Sequence, residues 1–175
     1  MKCFNVGILG TGSIAQSMAF TLNALKDKGE VVPYAIASRS LKKAENFARE
    51  WHFEKAYGSY EALVSDPAVD LIYIATPHSL HYEHALLCLN HSKNTLVEKS
   101  FTANAKQAQK LLSLAADKKV FLAEAVWTRY MPSRKIITDL LDSGAIGRFT
   151  TLDATFSVPI HEIPRMHDPS LCGGA

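Results

Sequence analysis

The chain lacks the features that would tie it to a membrane, a nucleic acid or an oxidising compartment. Cysteine is scarce: Cys3, Cys88 and Cys172 are three among 175 residues, far apart and without C-x-x-C spacing. That fits free thiols in a reducing compartment better than a disulfide framework. No apolar run approaches the ~20 residues that cross a bilayer. The opening Met1-Lys2-Cys3-Phe4-Asn5 has no long apolar stretch or small-residue cleavage site of a secretory leader. The expected location is the cytoplasm, with no membrane partner. Charge of one sign is also sparse, with a formal net charge of +2. Basic doublets such as Lys42-Lys43 and Lys118-Lys119 do not grow into a run, so no nucleic-acid partner is expected. Internal repeats and low-complexity segments are absent.

What is present is apolar material in a regular rhythm. Hydrophobic residues make up 47% of the chain and charged ones 21%, enough to bury a sizeable core. Strand signals at 4–9, 31–37, 70–75, 95–98 and 120–123 alternate with helical spacing at 14–25, 41–51, 60–64, 81–89 and 104–116. Tyr57-Gly58-Ser59 reads as a short strand or a turn. Near-continuous apolar strands separated by helices predict an α/β fold: a doubly wound parallel sheet with helices on both faces. Ligands of such a sheet bind at the carboxyl ends of its strands. After about Glu124 the rhythm changes. Met131-Pro132 opens a helix through Leu141, and Phe149 to Val158 alternates like a half-exposed strand. The expected organisation is a dinucleotide-binding domain over 1–123. Residues 124–175 then read as the beginning of an α+β domain with an open, mostly antiparallel sheet. One strand cannot bury a sheet face alone, so the chain reads as incomplete in this second part.

Gly10-Thr11-Gly12-Ser13-Ile14-Ala15 carries a G-x-G-x-x-A pattern between the first strand and the first helix. Gly10 permits the tight turn, Gly12 lets a pyrophosphate approach the backbone, and Ala15 lets helix and strand pack closely. Helix N-terminal N–H groups then face the phosphates. Gly10, Thr11, Gly12, Ser13 and Ile14 are therefore candidate cofactor residues. The second strand ends in Ala37-Ser38-Arg39, without the carboxylate that usually holds the ribose of NAD. Ser38, Arg39 and Lys43 suit a 2′-phosphate instead, which favours NADP and leaves NAD possible.

At the fourth strand end, Ala75, Thr76 and Pro77 turn the backbone where a nicotinamide ribose would lie. His81 is a candidate beside the cofactor. His78, His81 and His84 recur every three residues but drift around a helix, a poor arrangement for a closed metal shell. His161, His167 and Cys172 lack ligand spacing. No metal is expected. Glu98 and Lys99 close the fifth strand. A lysine there either takes part in an ion pair or acts on a substrate hydroxyl, with Glu98 its orienting neighbour.

These segments in order, with Tyr57-Gly58-Ser59-Tyr60-Glu61-Ala62-Leu63 and Val97-Glu98-Lys99, resemble the Gfo/Idh/MocA family of glucose-fructose oxidoreductase-like dehydrogenases. Glu124 to Pro132, Ile163-Pro164-Arg165 and Gly173-Gly174-Ala175 resemble its branch of dimeric dihydrodiol and NADP-dependent D-xylose dehydrogenases. The resemblance implies hydride transfer between NADP and a hydroxyl-bearing carbon of a sugar or cyclic diol. It also implies a homodimer for a full-length protein. Lys99 matches the family's catalytic lysine, and Glu98 and Lys99 fall beside the cofactor. Trp127 and Phe156 match aromatic positions of the substrate pocket, although packing at a domain junction accounts for them equally. Ser100 departs from the family's usual proline, and the second catalytic acid would lie beyond Ala175. A non-catalytic NAD(P)-binding module is the alternative function.

Overall fold

Apolar strands with no polar alternation need cover on both faces, and the chain supplies it by crossing over with a helix after each of its first strands. The computed structural model describes residues 3–155 together with 157, 168 and 171. Among the described residues there are six strands: β1 Phe4–Leu9, β2 Val31–Ala37, β3 Lys55–Tyr57, β4 Leu71–Ile74, β5 Asn94–Val97 and β6 Leu122–Glu124. They form one parallel sheet in the order β3-β2-β1-β4-β5-β6. The six helices are α1 Ser13–Lys26, α2 Leu41–Trp51, α3 Tyr60–Val64, α4 His81–Asn90, α5 Ala105–Lys118 and α6 Pro132–Asp142. The expected doubly wound parallel sheet is the fold observed.

Side-chain alternation along the strands sorts the core into two layers. Val6, Ile8 and Ile36 pack with Ala15, Ala19 and Leu22 of α1 and Phe47 of α2. On the opposite face Leu9, Ile72, Ile74 and Val97 meet Leu63 of α3, Leu89 of α4 and Leu111 of α5. Gly7 lets β1 lie close to this second layer, since a Cβ there would stand 2.9 Å from Leu63 Cδ2 and displace it. The α1/α2 layer covers β1 to β3 and leaves part of β4 to β6 open. There Leu71, Tyr73, Leu96, Phe121 and Ala123 line an apolar hollow of about 600 Å³.

Two sequence expectations shift. The sixth strand begins at Leu122 rather than Val120, because Lys119 takes a left-handed conformation (φ 55°) and the Val120 N–H donates to Ala115 O to finish α5. β6 includes Glu124, so this strand straddles the expected 123/124 boundary. The strand expected at 149–158 is not formed over its described residues 149–155 and 157, which are exposed and without regular structure. An isolated strand leaves its backbone donors and acceptors unpaired and its apolar side chains in water, and nothing offsets the ordering entropy. α6 does form, with Pro132 in its first turn and Ile136, Ile137 and Leu140 exposed.

Candidate cofactor cleft and active site

Parallel register brings Tyr57, Ala37, Leu9, Ile74, Val97 and Glu124 into one row across the sheet. Just past that row, each loop is tied to the end of a neighbouring strand. The N–H groups of Ser38, Gly10, Ala75, Glu98 and Ala125 donate to the carbonyls of Tyr57, Ala37, Leu9, Ile74 and Val97, at 3.1, 2.9, 2.9, 3.1 and 2.7 Å respectively. The glycine loop, the Ser38 loop, the Thr76 loop and the Glu98-Lys99 pair are therefore held along one edge.

A cleft of about 650 Å³ opens at that edge. It is lined by Gly10, Thr11, Gly12, Ser13 and Ile14, by Ser38, Arg39, Ser40 and Lys43, and by Tyr60, Ala75, Thr76 and Pro77. Gly10 has φ +102°, and a Cβ there would lie 2.9 Å from Ala75 O, so both conformation and space demand glycine. Gly12 is the N-cap of α1 and supplies no side-chain cap, and no acidic residue stands in the first helical turn. The first N–H groups of α1 have no intrahelical partner, and the helix dipole favours an anion beside them. A dinucleotide pyrophosphate fits this end. Arg39 and Lys43 are exposed and border the second-strand side of the cleft, while Ser38 is buried with its hydroxyl oxygen 3.4 Å from Ser40 N. These two cations and this hydroxyl are the groups there that fit a ribose phosphate.

His81 corrects the sequence reading. It is fully buried, with Nδ1 2.7 Å from Ser100 O and Nε2 2.9 Å from Thr76 O. Both ring nitrogens are taken by backbone carbonyls, so His81 does not face the cleft. It joins the Thr76 loop to the chain just after Lys99. The spacing that placed it at a helix start could not show the carbonyl from Ser100, which lies 19 residues away. His84 is held by Thr76 Oγ1 at 2.8 Å from its Nδ1. Burial keeps its imidazole below the ordinary histidine range, against the opposing charges of Glu83 and Glu61. Among the described residues no group of three His, Cys, Asp or Glu is arranged to hold a metal ion. His161, His167 and Cys172 lie outside the described residues.

Glu98 meets Lys99 through the backbone. Its carboxylate does not pair with the Lys99 ammonium. One oxygen accepts the Tyr73 hydroxyl, and the other accepts the Lys99 backbone N–H at 3.2 Å. Tyr73 sits in the middle of β4, almost wholly buried, so its hydroxyl reaches Glu98 from beneath. Burial, and then the Glu98 hydrogen bond and charge, push the Tyr73 phenol far above its ordinary range. Lys99 itself is exposed rather than buried. The loop beyond it is anchored by Glu124, whose Oε1 accepts the Phe101 N–H at 2.9 Å. Trp127 stands on a short 3-10 turn, Trp127–Tyr130, and is 52% exposed. It lines the apolar hollow together with Ile14 and Glu98. Phe156 lies outside the described residues.

Three contributors were not among the candidate site residues: Tyr60 in the cleft wall, Tyr73 beneath Glu98 and Glu124 at the end of β6. Tyr60 follows a helix-capping serine and Tyr73 sits in an apolar strand, so both look structural in sequence. A charged residue closing an apolar strand was the available signal for Glu124.

A doubly wound sheet with an uncapped glycine loop at its first crossover is a dinucleotide-binding Rossmann domain. A family model described as an oxidoreductase family with an NAD-binding Rossmann fold, GFO_IDH_MocA, matches residues 4–126. The chain belongs to this oxidoreductase family. It is 41% identical over 169 residues to trans-1,2-dihydrobenzene-1,2-diol dehydrogenase of Xenopus tropicalis, covering 97% of this chain and 51% of that protein. It is also 41% identical over 189 residues to the NADP(+)-dependent D-xylose 1-dehydrogenase of Hypocrea jecorina, covering 97% of this chain and 48% of that protein. A variant of a 3-ketoreductase from Actinomadura kijaniata, solved with TDP-benzene and NADP, superposes with a TM-score of 0.88 at 29% identity. That match covers 98% of this chain and 52% of the reductase. The chain thus spans about half the length of the relatives it matches.

Proposed function

We propose that this chain carries the cofactor half of an NADP-dependent oxidoreductase acting between a hydroxyl-bearing carbon and a carbonyl in a sugar or cyclic diol. The observation that carries the reading is the shared edge: Glu98-Lys99 leaves β5 on the same row of strand ends as the glycine loop and Thr76. Gly10, Thr11, Gly12, Ser13 and Ile14 hold the pyrophosphate by backbone N–H groups. Ser38, Arg39 and Lys43 hold the 2′-phosphate, and Ala75, Thr76 and Pro77 border the nicotinamide side. The bound nicotinamide supplies a hydride acceptor or donor at C4. Lys99 receives the hydroxyl proton as the carbinol is oxidised and returns it in the reverse direction. Glu98 fixes the backbone from which Lys99 projects, and His81 fixes the segment that follows. Trp127 offers an apolar wall to the substrate, a role shared with Phe156.

The names of the relatives, which include a diol dehydrogenase and an NADP-dependent sugar dehydrogenase, support this substrate class and cofactor. Residues 1–123 act as the cofactor domain, and 124–175 as the start of a substrate domain. A homodimer in the cytoplasm, without nucleic acid, is the setting we infer for the full-length protein. The second reading is a non-catalytic NADP-binding module, favoured by the exposure of Lys99.

Titration of the chain with NADPH by fluorescence, beside turnover assays on D-xylose and a trans-dihydrodiol with the chain alone and extended at its C-terminus, separates the two. Binding together with turnover in the extended form supports the enzyme. Binding with no turnover in either form supports the module.

A further inference from the structure

The cleft has one aromatic lining residue, Tyr60, to which the sequence reading gave no role in the site. Tyr60 opens α3, the helix that follows the edge strand β3, and its ring forms part of the cleft wall beside Arg39 and Pro77. Its position is fixed by four contacts. The Ser38 N–H donates to Tyr57 O at 3.1 Å, tying the β3 end to the loop that carries Arg39. Gly58 brings the same turn against α2, where a Cβ would stand 3.1 Å from Leu41 Cβ. Ser59 then caps α3, its side chain accepting the Ala62 N–H at 3.1 Å. On the far side the His84 ring meets Tyr60 edge-on, with centroids 4.7 Å apart and planes at 73°. His84 is in turn held by Thr76.

A dinucleotide whose pyrophosphate lies at Gly12 extends its adenosine toward the β2 side of the sheet, where Arg39 stands. We propose that Tyr60 is the aromatic wall of the adenosine end, contacting the purine through its ring and so contributing equally to NADP and NAD binding. The inference rests on the dinucleotide reading above and adds a residue from the third β-α unit. Division of labour follows from the chemistry. Arg39 carries charge and discriminates the 2′-phosphate; Tyr60 carries an aromatic ring, and both cofactors present the same purine. The contact lies with the ring because both cofactors offer the ring the same partner and only one offers the hydroxyl a phosphate.

The test is titration of NADPH and NADH by fluorescence with the unmodified chain and with Tyr60→Ala, Tyr60→Leu and Tyr60→Phe, each checked for folding by thermal melting. Aromatic–base contacts are worth roughly tenfold or more in affinity on truncation. Tyr60→Ala and Tyr60→Leu are therefore expected to raise the Kd of both cofactors about tenfold, while Tyr60→Phe keeps both within about twofold. Tyr60→Leu fills the space against His84 and reads the ring without a cavity. Unchanged affinity in a folded Tyr60→Leu overturns the proposal. Loss confined to NADPH also overturns it, as does a Tyr60→Phe loss equal to that of Tyr60→Leu. If the unmodified chain binds neither cofactor, the dinucleotide reading falls and this inference with it.

Discussion

The hydroxyl of Tyr73, in the middle of β4, donates to the same carboxylate of Glu98 that accepts the Lys99 backbone N–H. A buried phenol thus sets the direction in which the chain leaves β5. Hydrogen bonds to charged groups contribute about 1.5–3 kcal/mol. Tyr73→Phe keeps the ring and removes the donor, so a loss of that size is expected in urea denaturation. NADPH affinity should stay within about threefold, because the pyrophosphate cradle is built from other strand ends. A variant as stable as the parent would show that Glu98 is held without Tyr73.

Arg39→Ala separates the two cofactors. Loss of a charge-assisted contact to the 2′-phosphate is expected to weaken NADPH by roughly tenfold to a hundredfold. NADH should be little affected. Equal losses for both would remove Arg39 from phosphate recognition.

Lys99→Met is expected to abolish turnover of a sugar or diol in a C-terminally extended protein while leaving NADPH binding within about threefold. Removal of a general acid–base group typically costs about 10²–10⁴ in rate. Preserved turnover would assign the proton transfer elsewhere.

Gly10→Ala meets two obstacles at once, a φ of +102° and a Cβ 2.9 Å from Ala75 O. Strain of this kind costs about 1–3 kcal/mol. Lower urea stability and weakened NADPH binding are expected together, since relief requires the Gly10 and Ala75 strand ends to part.

Asp66 supplies the acid dependence of stability. Burial acts to raise its carboxyl, but the Tyr57 hydroxyl at 2.7 Å, the Lys55 ammonium at 2.9 Å and the Ala68 N–H at 2.9 Å outweigh it. They hold the group well below the usual carboxylate range. The folded state therefore binds its proton less readily than the unfolded chain. The stabilisation is fully present above the unfolded value of about 4 and is lost as pH falls toward the folded value. Urea midpoints measured from pH 6 to pH 2 should fall below about pH 4, and Asp66→Asn should be less stable at pH 6 with a shallower acid decline.

Much of the fold was readable along the chain. β2, α2 and α3 begin and end where apolar spacing and flanking polar residues place them, at Val31–Ala37, Leu41–Trp51 and Tyr60–Val64. The glycine loop was readable too, because tight turns and close backbone approach leave few residue choices. The orientation of polar side chains was not. His81 looked like a cofactor neighbour and is locked between two carbonyls. Glu98 was readable as the neighbour of Lys99, but its hold on the Tyr73 hydroxyl and on the Lys99 backbone N–H was not.

The sequence by itself determined the order of strands and helices along the chain, the glycine turn after the first strand and the candidate residues at strand ends. Those features depend on residue type and short-range spacing: period, small size, and the φ that glycine permits. Tertiary structure decided which groups face the cleft and which are consumed in holding it. Tyr60 meets His84 across 24 positions, Tyr73 meets Glu98 across 25, and Phe101 meets Glu124 across 23. Parallel pairing through helical crossovers brings such residues together, and the register that joins them is a property of the assembled sheet rather than of any local segment.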